Sequence, residues 1–414
     1  MFKAKCILAF LLTPLSTILF TTNASAEDVK EPDWSTGRTL GFAFTYFWYD
    51  IRETPEDCPD GYALALRDVA ILGFSEEEQA RLKQVENRST YYKYGYALSA
   101  KRMKELGGKS VCDNTEKFND PPHRLIQSDI AFGMNLDGIV SDGKNSSPKT
   151  CPQPDFTSPD GRAGIDNQLY RVMGCIDSFR RDPVFAGGAM EDYHIGAYRD
   201  GEVTTLLEIT NVDDRMNDDD VDVGIYSSHE PTLFDSKKNG IANGSLTVTD
   251  NKLWHNHTKG KIVDGELIVE PFDVRLKFGF SGRPAEYYIK DTQIKLKLNE
   301  DGTAEGKLAG YFDVMHAYWN NFHNASGAFE VANGFTCPAV FKALKENADA
   351  YPDPETGECT AISTAMRIEA VPAFVIHRPE NELKLEYLDR NKRFGLGSAA
   401  AKEAAKELVR ETNN

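Results

Sequence analysis

The chain has 414 residues, and its 64 acidic residues outnumber its 47 Lys and Arg residues, so the formal net charge at pH 7 is −17. A surface this acidic repels nucleic acid and anionic membranes, and neither is expected as a partner. The length exceeds that of one ordinary hydrophobic core, which predicts one large decorated domain or two domains.

Residues 1–26 have the three-part pattern of a secretory signal peptide. Lys3 and Lys5 precede an apolar run, and the segment closes with an Ala-Ser-Ala sequence that ends at Ala26. Pro14 interrupts the apolar run before it reaches the thickness of a membrane, so stable membrane insertion is not expected. The sequence therefore predicts cleavage after Ala26 and a secreted or periplasmic protein.

An even number of cysteines follows the predicted cleavage site, which in an exported chain indicates three disulfides. These cysteines are Cys58, Cys112, Cys151, Cys175, Cys337 and Cys359. Proximity in the sequence favours bonds between consecutive cysteines, namely first with second, third with fourth, and fifth with sixth. The chain contains no C-x-x-C pair, which disfavours a zinc site built from these thiols.

Residues 27–122 predict a mixed α/β region. The segment at 41–51, GFAFTYFWYDI, predicts a strand that is covered on both faces. Ser75, followed three residues later by Glu78, forms a capping box ahead of a charged helix. A second helix is expected at about 94–106, ending at Gly107 and Gly108.

Residues 123–202 predict a disulfide-bonded loop and helical region that is rich in oxygen ligands. Helical spacing of the apolar residues from Leu169 to Ile176 makes Asp166 the expected N-cap of a short helix. The remaining acids offer the hard oxygen ligands that calcium prefers, although the spacing does not match an EF-hand loop. The candidate calcium ligands are Asp137, Asp142, Asp155 and Asp160. The alternative is that these acids only form turns and caps.

Residues 203–390 contain one short segment after another in which apolar and polar residues alternate. Examples are VTTLLEITNV, DVDVGIYS, DVRLKFGFSG, TQIKLKLNE and GKLAGYFDVMH. Repeated period-two patterning predicts an antiparallel β-sandwich or curved-sheet domain with a few peripheral helices, and the chain is mainly β and α+β overall. A helical insertion is expected near 337–347, and a helical tail at 391–414.

Two groups of histidines offer an alternative metal site for copper or zinc. His255 and His257 are two residues apart, so on a strand they share a face. His316 and His323 would have to reach the same ion from a neighbouring element. The competing interpretation is that all four are surface or hydrogen-bonded histidines, because a bare H-x-H is common and no H-E-x-x-H accompanies it.

The sequence resembles no family whose activity could be transferred, and it leaves open whether the protein is an enzyme. The leading prediction is an exported, disulfide-stabilised, β-rich binding or structural protein, supported by calcium, with an extracellular glycan or protein as its ligand. One alternative is a secreted copper or zinc enzyme that uses the four histidines. Another is a glycan-acting hydrolase, whose catalytic carboxylates cannot be assigned because their separation in space is the signal.

Overall fold

The computed structural model describes residues 38–181, 183, 189–280, 283–323 and 328–378. The predicted signal peptide and the predicted tail at 391–414 lie outside these described residues. The strands are β1 (Arg38–Tyr49), β2 (Thr205–Val212), β3 (Asn217–Ser227), β4 (Gly244–Thr247), β5 (His255–Val263), β6 (Glu266–Phe280), β7 (Arg283–Leu298), β8 (Ala304–Asp313), β9 (Ala350–Pro352) and β10 (Cys359–Ile376). The α-helices are α1 (Leu66–Ala70), α2 (Glu76–Leu82), α3 (Arg88–Glu105), α4 (Gln168–Met173), α5 (Met190–Arg199), α6 (Val314–Asn321), α7 (Ala328–Ala332) and α8 (Cys337–Glu346).

Eight of the strands close into an antiparallel β-barrel in the order β1-β2-β3-β5-β6-β7-β8-β10. The barrel closes because β10 pairs back with β1, which aligns Phe42 with Pro372 and Tyr49 with Met366. The two other strands, β4 and β9, pair with the two ends of β10. The predicted sandwich or curved sheet is therefore wrong, since the sheet encloses its own core instead of packing against a second sheet.

Aromatic side chains fill the inside of the barrel. The ring of Tyr287 lies 4.1 Å from that of Phe278 and 5.2 Å from that of Phe312, measured between centroids. His194 of α5 packs its ring against Trp48 of β1 at 5.0 Å. All five of these side chains are buried. The described interior is a packed core, which places candidate sites on the outer face and in the segments that cover it.

Three disulfides tie the covering segments together and to the barrel. They join Cys58 with Cys175, Cys112 with Cys337, and Cys151 with Cys359, at sequence separations of 117, 225 and 208 residues. The expected pairing of consecutive cysteines is wrong, because each segment folds back on a part of the chain that is distant in sequence.

Three disulfides in a β-rich fold fit an extracellular or periplasmic compartment, where oxidised cysteines persist. None of the helices in the described ranges is both long enough and apolar enough to cross a bilayer.

Local helix signals gave mixed results. Ser75 is the N-cap of α2 and accepts a hydrogen bond from the backbone N–H of Glu78, as the capping box predicts. Helix α8 occupies the predicted insertion. Asp166 is not the N-cap of α4, because Asn167 takes that position and accepts from the N–H of Tyr170. The carboxylate of Asp166 therefore does not cap α4 and is available for other interactions.

Candidate cation site

The loop from residue 128 to residue 168 lies over the outer face of β8 and β10. Met134 belongs to one small apolar cluster with Ala309 and Ala365, and both alanines point outward from the barrel. The backbone N–H of Gln168 donates to the hydroxyl of Ser363 at 2.9 Å. The sheet is therefore covered on both faces here, and polar groups between the loop and the barrel are shielded from water.

A group of acidic side chains lies at this junction and is called the carboxylate group below. It consists of Asp137, Asp155, Asp166 and Asp349. Together with Thr150 these residues line a small cavity of about 10 Å³. A volume of that size holds roughly one water-sized particle, so the cavity suits a single ion better than an organic molecule.

Backbone N–H groups hold all four carboxylates in place. Both oxygens of Asp137 accept hydrogen bonds, from the N–H of Ile139 at 2.9 Å and from the hydroxyl of Thr150 at 2.8 Å. The second oxygens of Asp155 and Asp166 have no hydrogen-bond partner among the described residues. The donors to Asp155, Asp166 and Asp349 are Ser141, Leu136 and Ser363, at 2.6, 2.6 and 2.7 Å. The carboxylates are thus fixed in position while oxygen atoms remain available for a ligand.

Burial and neighbouring charges oppose ionisation of the Asp166 and Asp349 carboxyl groups in the protein alone. Burial, together with the charges of Asp349, Asp155 and Asp137, raises the pKa of Asp166 to about 8. Burial also raises the pKa of Asp349 to about 7. Across the described ranges, no Lys, Arg or His forms an ion pair with any of the four. A bound cation would supply the missing positive charge and lower these pKa values.

Tyr311 adds an independent indication that a polar ligand belongs here. It lies opposite Ser363 in the β8–β10 pair, so both side chains point to the same outer face. Its side chain is 4% exposed, and its hydroxyl has no hydrogen-bond partner in the part of the chain that the structure describes. Burial, followed by the charges of Asp166 and Asp349, raises the pKa of this phenol. An unpaired buried hydroxyl costs about 1–3 kcal/mol, which a ligand in the group would offset.

Calcium fits the donor set better than zinc or copper. The group offers carboxylate and hydroxyl oxygens alone, and calcium accepts six to eight oxygens in flexible geometry. Within the described residues, only Cys112, Glu330 and Cys337 bring three potential ligand atoms within 4.8 Å of one another. Those two cysteines form a disulfide, so their sulfurs are not thiolate ligands. The four carboxylates are spaced more widely, so hydroxyl, amide or water oxygens would complete a calcium shell.

The same cavity is unsuited to glycan hydrolysis. Raised pKa values such as those of Asp166 and Asp349 are a property of general acids in glycosidases. A sugar ring, however, does not fit in a cavity of about 10 Å³. The two carboxyl groups are therefore not an accessible acid and base pair.

The structure brings together two of the four acids predicted from the sequence as calcium ligands. Asp137 and Asp155 lie in the carboxylate group. Asp142 and Asp160 are exposed and form ion pairs with Lys144 and Arg162, at 3.1 and 3.0 Å.

Sequence reasoning missed two members of the group. Asp166 was assigned to a helix cap, and Asp349 is about 180 residues further along the chain. The N–H donor from Leu136 and the pairing of β9 with β10 bring these two residues into place. Neither interaction leaves a signal in the local sequence.

The structure does not bring together the four histidines of the alternative metal site. His255 and His257 lie on β5, which pairs with β3 and β6. His316 and His323 belong to α6 and the residues after it. The Nε2 atom of His316 is 2.7 Å from the carbonyl oxygen of Glu286, and that of His323 is 2.7 Å from a carboxylate oxygen of Asp113.

A large open cleft lies beside the carboxylate group. It has a volume of about 1280 Å³ and runs between the segment 115–125 and α8. Apolar side chains such as Phe118 and Phe341 line it, together with charged residues of α8. Cys151 lines both the cleft and the small cavity, and the cleft residue Ala348 directly precedes Asp349. The cleft and the carboxylate group therefore share one wall.

Fold and site together define a disulfide-bonded β-barrel protein with a partly buried carboxylate group next to an open cleft. The chain matches no protein-family model, and comparison with curated proteins and with solved structures also gave no match.

Proposed function

We propose that the protein is an exported binding protein whose barrel and covering loop are held together by one calcium ion. Asp137, Asp155, Asp166 and Asp349 supply carboxylate oxygens to this ion. The open cleft binds an extracellular glycan, with a protein ligand as the alternative occupant. The observation that carries the proposal is that two buried carboxylates, Asp166 and Asp349, and two partly buried ones, Asp137 and Asp155, surround a small cavity, and none of the four forms an ion pair with a basic side chain of the described residues.

The raised pKa values of Asp166 and Asp349 support this role for calcium. Two carboxylates with pKa values of about 7 and about 8 are partly protonated at neutral pH, and ionising them without a counter-ion destabilises the folded loop. Calcium would favour the ionised form and link residues 137–166 of the loop with Asp349 beside the barrel. The ion would therefore stabilise the fold as well as order the loop.

The shared wall couples this ion to the cleft. The backbone N–H of Cys151 donates to the carbonyl oxygen of Asp349 at 2.7 Å, and Cys151 is bonded to Cys359 in the cleft. Ordering of Asp349 by calcium would fix Cys151 and with it one side of the cleft. We infer that glycan binding depends on calcium, although the ion itself is outside the cleft.

Calorimetric titration of the purified protein with calcium tests the metal part of the proposal. One ion should bind per chain, and Asp166→Asn or Asp349→Asn should abolish binding. Asp142→Asn and Asp160→Asn are matched controls, because both side chains are exposed and paired with basic neighbours. Absence of binding to the unmodified protein, or an equal loss in the control variants, would refute the calcium site.

A glycan array probed with and without a chelator tests the ligand part. Binding should be lost when calcium is removed and when Phe341 in the cleft is replaced by alanine. Phe341→Ala leaves the carboxylate group untouched, so calcium affinity should stay unchanged in that variant. If no glycan binds in calcium, the glycan ligand is wrong even where calorimetry confirms the ion.

A further inference from the structure

Three neighbouring strands place Glu208, Gly224 and His257 side by side on the outside of the barrel. Glu208 of β2 lies opposite Gly224 of β3, and Gly224 lies opposite His257 of β5. Residues that are directly opposite in an antiparallel sheet point to the same face. The alternating neighbours Leu207 and Ile225 belong to the barrel core, so the row itself faces outward.

The ring of Tyr226 fills the space above Gly224. A Cβ atom on Gly224 would lie 2.2 Å from the Tyr226 hydroxyl oxygen, so this hydroxyl lies where the missing side chain would be. Three imidazole rings surround the phenol ring. Their centroids lie 5.4, 5.4 and 5.1 Å from that of Tyr226, for His255, His257 and His377 respectively. These three histidines, Tyr226 and Glu208 are called the Tyr226 cluster.

In metal-bound histidines the ring nitrogen that does not bind the metal usually donates a hydrogen bond to a carbonyl or carboxylate oxygen. Two of the three histidines already have such a hydrogen-bond partner. The Nε2 atom of His255 lies 2.6 Å from the carbonyl oxygen of Thr249, which can only accept a hydrogen bond, so Nε2 carries the proton. The Nε2 atom of His377 lies 2.7 Å from a carboxylate oxygen of Glu208. In the neutral imidazole each contact leaves Nδ1 with its lone pair, which is the form that ligates a metal.

The cluster is both accessible and chemically suited to a borderline metal. His257 and His377 are exposed, whereas Glu208 is buried beneath them. Burial lowers the pKa of His255, which favours its neutral form at physiological pH. Neutral imidazoles select zinc or copper over calcium.

We propose that His255, His257 and His377 bind one zinc or copper(II) ion on the outer face of the barrel, with Glu208 as the positioning residue for His377. In the present side-chain conformations these three rings do not bring their ligand atoms within 4.8 Å of one another. The exposed rings of His257 and His377 rotate toward the ion, and the Tyr226 phenol moves aside or adds its oxygen. This site shares no residue with the carboxylate group and is independent of the calcium proposal.

Equilibrium dialysis of the full chain against zinc or copper, with metal analysis of the retained protein, tests the site. One ion should bind per chain, and His257→Ala or His377→Ala should abolish binding at micromolar metal. Glu208→Gln keeps the shape of the side chain and should weaken affinity by about 10- to 100-fold, as loss of an outer partner does at other sites. Copper-loaded protein should give an electron paramagnetic resonance spectrum with nitrogen couplings, which His377→Ala should alter.

Matched controls separate this site from non-specific binding. His316→Ala and His323→Ala remove histidines outside the cluster and should leave affinity unchanged, as should Asp166→Asn in the carboxylate group. Thermal melting of each variant without metal establishes that it folds. The proposal fails if the unmodified protein retains no stoichiometric metal, or if the control histidines matter as much as His257 and His377.

Discussion

Ser363 connects Asp349 to the outer surface of the barrel in two ways. Its backbone N–H donates to a carboxylate oxygen of Asp349 at 2.7 Å, and its hydroxyl accepts from the N–H of Gln168 at 2.9 Å. A single residue of β10 therefore positions both a carboxylate of the proposed calcium site and the first turn of α4. The site depends on the barrel for its geometry, although most of its residues lie in the loop.

Removal of the Ser363 hydroxyl should destabilise the protein. Ser363→Ala leaves the buried N–H of Gln168 without an acceptor, which costs about 1–3 kcal/mol. Chemical denaturation of the calcium-free protein measures this loss. Thr364→Val is the neighbouring control, because the Thr364 hydroxyl is buried without a partner among the described residues and its removal should be neutral or stabilising. Equal destabilisation by both changes would contradict the role assigned to Ser363.

The calcium-free protein should lose stability as the pH rises from about 4 to 8. Asp166 and Asp349 have folded-state pKa values of about 8 and about 7, above the unfolded value of about 3.9. The folded state therefore binds more protons than the unfolded state in this window, and stability is highest at its acid end. Melting temperatures measured between pH 4 and 8 should fall without calcium, and saturating calcium should remove most of the decline.

A third buried carboxyl group contributes to that pH dependence without responding to calcium. Burial raises the pKa of Glu330 to about 7, and its carboxylate accepts from the N–H of Cys337 at 2.8 Å. Glu330→Gln keeps an acceptor and should flatten part of the decline both with and without calcium. If the calcium-free and calcium-loaded proteins show the same slope, the carboxylate group does not bind the ion.

Tyr311→Phe should have opposite effects on the two forms of the protein. Without calcium, it removes a buried hydroxyl that has no partner in the described structure, so the free energy of unfolding should rise by about 1 kcal/mol. With calcium, loss of an oxygen near Asp166 and Asp349 should weaken affinity. Denaturation and calorimetry on the same variant measure both quantities. Unchanged calcium affinity would place the hydroxyl outside the site.

The disulfides should differ in their effect on calcium. The bonds Cys151–Cys359 and Cys112–Cys337 close loops of 208 and 225 residues. Loss of either bond removes a constraint on the unfolded chain, and the chain-entropy model gives a loss of stability of about 5 kcal/mol as an upper estimate. Replacing Cys151 and Cys359 by serine should lower both stability and calcium affinity, because Cys151 lines the cavity. Replacing Cys112 and Cys337 should lower stability alone. Calorimetry at a temperature where both variants are folded distinguishes them.

Period-two patterning predicted most of the strands but not their closure. The alternating segments after residue 203 correspond to β2–β8, and the aromatic run at 41–51 includes most of β1. A sandwich and a barrel both require strands with alternating faces, so the pattern does not distinguish them. Closure depends on the pairing of Phe42 with Pro372, which are 330 positions apart. No local feature of either strand specifies that partner.

The candidate sites also depend on contacts between distant segments, which the local sequence does not indicate. Asp137 and Asp155 were found because the loop is locally rich in oxygen ligands, whereas Asp349 reaches them only through the β9–β10 pairing. His377 directly follows β10 and meets His255 and His257 around the ring of Tyr226, which a search for nearby histidines in the sequence could not show. Spacing in the sequence indicates which residues lie close together within one loop or strand, but it does not indicate contacts between segments that are distant in the sequence.

The connectivity of the three disulfides has a consequence for biosynthesis. A chain that enters an oxidising space from its N-terminus presents Cys58 together with Cys112 long before Cys337 and Cys359 arrive. Oxidation in order of arrival would produce consecutive pairs, none of which is native. Maturation therefore requires either that the early thiols stay reduced until the C-terminal strands emerge, or that an isomerase reshuffles the first bonds. The yield of native protein should therefore depend on the disulfide-isomerase activity of the host as strongly as on the thermodynamic stability of the fold.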